Sequence, residues 1–107
     1  MRSEMTFEVH RTIPADHPSL AGHFPGAPIV PAVVILDEVA AALTEWQNDS
    51  RIAEISTVKF LAPLQPEQPF TILLSAREEV DDQFNFSCRT GDRTIVQGRL
   101  LARRRAI

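Results

Sequence analysis

Residues 32 to 47 run without a glycine or proline, and Val33, Val34, Ile35, Leu36, Val39, Ala40, Ala41, Ala42, Leu43 and Trp46 leave almost no polar side until the last turns. A helix of this composition has to be covered, because a helix that lies on a surface keeps a polar half. Pro31 suits the first helical position, where its missing N–H and fixed φ cost nothing, and Asn48-Asp49-Ser50 ends the run. The rest of the chain must therefore supply the cover.

That remainder reads as strand. A short strand is expected from about Met5 to Ile13, with Phe7 and Val9 on one face and Thr6, Glu8 and His10 on the other. Arg51 to Leu61 is rich in β-branched and apolar residues, Pro63 to Pro69 is a turn region, and Phe70, Ile72, Leu74 and Ala76 alternate along the next strand. Phe84, Phe86 and Cys88 alternate with Asn85, Ser87 and Arg89, and Thr90-Gly91-Asp92-Arg93 turns into a strand whose Val96, Gly98, Leu100 and Ala102 share a face. Gly98 is expected where the helix comes close. One apolar helix wrapped by a mostly antiparallel sheet of about five strands hides both hydrophobic surfaces, which places the chain in the α+β class as a single domain over residues 1 to 107.

A chain of 107 residues buries only roughly 60 to 70% of its unfolded surface, so oligomerisation is an expected source of stability. Cys88 is the only cysteine, which excludes an intrachain disulfide and a cysteine-based metal site and suits a reducing cytoplasm. Cys88 itself reads as a small core residue. No run of 18 apolar residues and no signal-peptide pattern occurs, so a soluble cytoplasmic protein with no membrane contact is expected. A net charge of −3 argues against nucleic acid as a partner, although Arg103, Arg104 and Arg105 make a local basic cluster.

Five of the eight prolines fall between residues 14 and 31, and they stiffen a loop that carries His23, 14 residues before Asp37. Asp37 has Val33, Ala40 and Ala41 as helical neighbours, so a buried carboxylate is expected there, whereas Glu38 shares a face with Glu45 and can reach water. A buried acid either finds local backbone donors or serves as a general acid. The helix start adds a third element: Val30 is a poor N-cap and no Ser, Thr, Asp or Asn stands beside it, which leaves the first N–H groups to water or to a developing oxyanion. An imidazole base, a carboxylic acid and oxyanion donors together describe proton removal next to a carbonyl.

The segment from His23 to Asp37, His-Phe-Pro-Gly-Ala-Pro-Ile-Val-Pro-Ala-Val-Val-Ile-Leu-Asp, resembles the motif of the hot-dog-fold 3-hydroxyacyl-acyl-carrier-protein dehydratases of the FabA/FabZ type. The similarity extends more loosely over Val58-Lys59-Phe60, the Pro63 to Pro69 turn and the final hairpin. The resemblance implies that His23 is the catalytic base, that Asp37 is the acid, and that the Ala32 backbone N–H polarises the thioester carbonyl. Phe24, Pro25, Gly26 and Pro31 would shape the substrate loop. It implies no cofactor and no metal. The partner implied is an acyl carrier protein bearing a 3-hydroxyacyl thioester, met by a basic rim for which Arg103, Arg104 and Arg105 are candidates, with Lys59 and Arg99 beside them.

It also implies a homodimer, or a higher even oligomer, in which each site takes its histidine from one protomer and its acid from the other. Two positions depart from the family pattern: Ala32 stands for the usual glycine, and Ala41 for the glutamine one turn after the acid. Without the N-terminal segment of the longer fatty-acid enzymes, the chain looks most like the short ApeI-like dehydratases of specialised lipid and aryl polyene clusters. Two alternatives stand beside dehydration: a hot-dog acyl thioesterase, and a non-catalytic acyl-thioester-binding partner subunit.

Overall fold

The computed structural model describes residues 6 to 18, 29 to 77 and 82 to 104. In chain order these form β1 (Thr6–Arg11), α1 (Ala32–Trp46), β2 (Ser50–Phe60), β3 (Phe70–Ala76), β4 (Gln83–Thr90) and β5 (Arg93–Arg104). The five strands make one sheet in the order β1-β3-β4-β5-β2, antiparallel at every pairing. This is the α+β arrangement of one helix against one sheet that the hydrophobic pattern requires.

Alternation decides which side of the sheet meets the helix. Phe70, Ile72 and Leu74 of β3, Phe84, Phe86 and Cys88 of β4, and Val96, Leu100 and Ala102 of β5 are all buried, and they close on Val34, Ile35, Val39, Ala42 and Leu43 of α1. Burial pushes the Cys88 thiol up to about 12, because the charged thiolate has no solvation there. The far end of the helix is held by aromatic contacts. Trp46 stacks on Phe7, with centroids 5.8 Å apart, and meets Phe84 edge-on at 5.5 Å.

β1 is tied to the helix by charge as well. Arg11 lies on the same side of its strand as Phe7 and Val9, opposite Phe70, and its guanidinium donates to Glu38 Oε1 at 3.0 Å and to Glu45 Oε2. The two carboxylates stand two turns apart on one helix face, so a single planar fork reaches both.

The tight hairpin forms where the sequence places it. Thr90 pairs with Arg93, and Gly91 adopts φ 58°, a conformation that a two-residue hairpin loop needs and that glycine supplies without strain. At Gly98 the expectation is corrected. Its neighbours belong to the sheet: a Cβ there would fall on the Thr57 carbonyl oxygen and lie 2.8 Å from Cζ of Phe86. The register shift between Ile55 and Thr57 in β2 accompanies that close approach.

Two consequences can be measured. Gly98→Ala should destabilise the fold by about 1–3 kcal/mol, read as a lower midpoint in urea, because the carbonyl of a paired strand cannot swing aside. For Cys88, the unfolded thiol ionises from about 9 while the folded one stays protonated to about 12. Its contribution to stability is therefore intact below pH 9.0 and is lost as pH rises toward 12, whereas the Cys88→Ala variant should lack that part of the alkaline decline.

Candidate active site

The site begins at the start of α1. Pro31 is the N-cap, with φ −62° and ψ 149°, one place earlier than the first-turn position the sequence suggests. Its carbonyl accepts from Val34 N–H at 3.0 Å and Ile35 N–H at 3.4 Å. No side chain caps the helix and no acid sits in its first turn, so the N–H groups of Ala32 and Val33 have no acceptor among the described residues. These donors stand at the positive end of a fifteen-residue helix.

Beside them lies a cavity of about 360 Å³. Its walls are Ala32 and Ile35 of the helix, Ile29 and Val30 before it, Phe60 at the end of β2 and Leu61 to Leu64 after it, with no polar side chain among them. Val30 N–H donates to the Leu64 carbonyl at 2.8 Å, which joins the two walls. An apolar slot with unpaired N–H donors in its wall can hold a hydrocarbon chain and polarise an oxygen placed at the helix start.

Asp37 is exposed in the single chain, which corrects the expectation that it is buried. Val34, Ile35, Val39, Ala42 and Leu43 turn toward the sheet, and at about 100° per residue Asp37 falls on the opposite side of the helix. Its surroundings are nevertheless apolar: Val33 is 60% exposed one turn before it, and Ala40 and Ala41 follow one turn later. The carboxylate has no hydrogen bond or ion pair among the described residues. Glu38, expected to face water, is instead half-buried in the Arg11 pair.

His23, Phe24, Pro25 and Gly26 lie outside the described residues, as does Arg105. Arg103 and Arg104 are exposed at the end of β5, and Arg51 of β2 stands directly opposite Arg103. Sequence reading overlooked Arg51 in this cluster, although antiparallel pairing of the two longest strands brings the residues together. The cluster lies at the opposite end of β2 from Phe60, nine residues and roughly 30 Å away along the strand. Lys59 and Arg99 project from the outer face of the sheet and are not part of the helix-start cavity. Arg11 also went unremarked, but its place on the Phe7–Val9 face, with Glu38 and Glu45 seven apart on the helix, was a readable signal.

Among the described residues, no group of three or more His, Cys, Asp or Glu side chains is arranged to hold a metal ion, and no helix is long and apolar enough to cross a membrane.

Comparison with known proteins bears on the fold and the family. The dehydratase FabZ of Chlamydia trachomatis serovar L2, named as acting on 3-hydroxyacyl-acyl-carrier protein, is 36% identical over 72 residues, 58% of this chain and 47% of that one. The chain thus spans about half the length of the curated relatives it matches. Among solved structures, the dehydratase heterocomplex ApeI:P of Xenorhabdus doucetiae has a TM-score of 0.82 at 23% identity, covering 95% of this chain and 90% of that one. An acyl-CoA hydrolase of Staphylococcus aureus reaches 0.72 at 13% identity, covering 95% and 67%. The E. coli PaaI protein reaches 0.71 at 15%, covering 94% and 73%. These likenesses carry the hot-dog fold. The model of the ApeI-like family, described as ApeI dehydratase, matches residues 1–99, and the chain belongs to that family.

Proposed function

We propose that this chain dehydrates a 3-hydroxyacyl thioester carried by an acyl carrier protein, giving a trans-2-enoyl thioester. The observation that carries the reading is the uncapped helix start in the wall of an apolar slot, in a chain whose sequence from His23 to Asp37 has the dehydratase motif. The acyl chain lies in the slot and the thioester carbonyl accepts from the Ala32 N–H. His23 removes a proton from C2, the electrons of that C–H bond form the C2–C3 double bond, and the C3–O bond breaks. Asp37 delivers a proton to the departing hydroxyl, which leaves as water. Ala32 keeps its N–H in place of the family's glycine, so the donor survives the substitution.

The second half of the site comes from a second copy. Asp37 sits unpaired on an uncovered apolar helix face, and β2 is an eleven-residue edge strand with Val58 and Phe60 43% and 45% exposed. A long apolar edge of this kind is an open template for another strand. Antiparallel pairing of two β2 edges would carry the Arg51–Arg103 end of one copy toward the Phe60 end of the other, which supports the arginines as the rim for an acidic carrier.

The reading of a catalytically silent partner subunit draws support from Ala32 and Ala41, and from the similar ApeI:P dehydratase, which is a heterocomplex. The thioesterase reading rests on the fold of neighbours such as the S. aureus hydrolase.

Purified protein should hydrate a trans-2-enoyl thioester without added partner. His23→Ala and Asp37→Asn should each lower that rate by about 10²- to 10⁴-fold while circular dichroism stays native. Mixing the two dead variants should restore part of the rate through sites that receive both intact residues; no recovery would place both groups in one protomer. Full activity in His23→Ala would end the dehydratase reading, and thiol release from a saturated thioester would favour the hydrolase. Reversing Arg51 and Arg103 to glutamate should raise KM for a carrier-linked substrate more than for a small thioester.

A further inference from the structure

The face of the sheet turned away from the helix carries a trough of about 460 Å³ that takes no part in the site above. It forms where outward positions of four strands meet in two rows. In one row Ser75 faces Asn85, Asn85 faces Arg99, and Arg99 faces Thr57; in the next, Leu73, Ser87, Gln97 and Lys59 follow in the same strand order. Arg99 and Lys59 are diagonal neighbours on adjacent strands, about 7–8 Å apart at their bases, so both side chains can reach one group between them.

The chemistry of the lining is one-sided. Every polar side chain around the trough can donate a hydrogen bond, two are cations, and none is acidic, in a chain with 14 acidic and 11 basic residues. Two carboxylates border it: Glu8, one strand beyond Leu73 and 3.9 Å from His10, and the exposed Glu54, which stands opposite Leu101, the next outward position of β5 after Arg99. The Nε of Arg99 is buried and has no hydrogen-bond partner. A buried guanidinium N–H without an acceptor is costly, and an anionic oxygen is the partner that fits it best.

We infer that this trough binds a phosphate group. Arg99 supplies a planar fork, Lys59 a point charge, and the surrounding hydroxyls and amides donors for the remaining oxygens of a tetrahedral oxyanion. The space exceeds one phosphate, and Leu73, 38% exposed, offers an apolar floor on which an organic remainder can rest. The sheet separates this ligand from the helix-start cavity, so the occupant is distinct from an acyl chain.

The test is a titration of the ¹⁵N-labelled full chain with inorganic phosphate, adenosine monophosphate and acetate at constant ionic strength, followed by NMR. Phosphate and the nucleotide should shift the amides of Lys59, Gln97 and Arg99 and leave Ala32 and Asp37 in place. Tighter binding of the nucleotide identifies a phosphate monoester as the ligand, and equal binding identifies free phosphate; both outcomes support the site. Arg99→Gln and Lys59→Gln should each weaken binding by about tenfold or more, one charged hydrogen bond being lost. Should Arg99→Gln fail to fold, the exposed Lys59→Gln carries the comparison. Absence of shifts on this face, an equal response to acetate, or binding unchanged in Lys59→Gln would overturn the inference.

Discussion

Everything in this molecule depends on the mismatch between a helix that is apolar on nearly all sides and a single sheet that covers only one of them. Val34, Ile35, Val39, Ala42 and Leu43 are satisfied by the sheet, while Val33 and the small residues around Asp37 are not. Apolar area left in water is a driving force for association. The same uncovered side holds the acid that the dehydratase reading needs. Stability and, on the dehydratase reading, chemistry thereby fall to one surface.

The architecture was largely legible because period-two alternation is a strong signal wherever one face is buried. Phe70-Ile72-Leu74 and Phe84-Phe86-Cys88 sit where their spacing puts them, and Gly91 marks its turn. Residue spacing does not reveal where a strand slips register. The shifts in β2 near Ile52 and Ile55 depend on contacts with β5, residues distant in sequence, and they explain why Gly98 faces a carbonyl and a ring instead of a helix.

The motif marks the family, and the burial of the candidate acid was misread. Helical periodicity correctly shows that Asp37 has apolar neighbours, but periodicity cannot say whether an apolar face meets the same chain or another. Glu38 was misjudged for a related reason: two acids on one helix face look solvated until a cation from β1 is known to stand across from them. The outer-face cations Arg99 and Lys59 were placed at a rim on charge alone, and only the strand register shows which side of the sheet they occupy.

Gly98 also constrains how the sheet can be assembled. It lies between Phe86 on one side and Val58 on the other, so it belongs to two pairings at once. A slip of β5 by two residues keeps every inward side chain inward, and hydrophobic patterning alone would tolerate it. Such a slip would bring Val96 or Leu100 to the place where the Thr57 carbonyl and the Phe86 ring leave no room. The missing side chain is therefore a keyway, cut at one position of β5, that allows the strand to seat against both neighbours in one alignment.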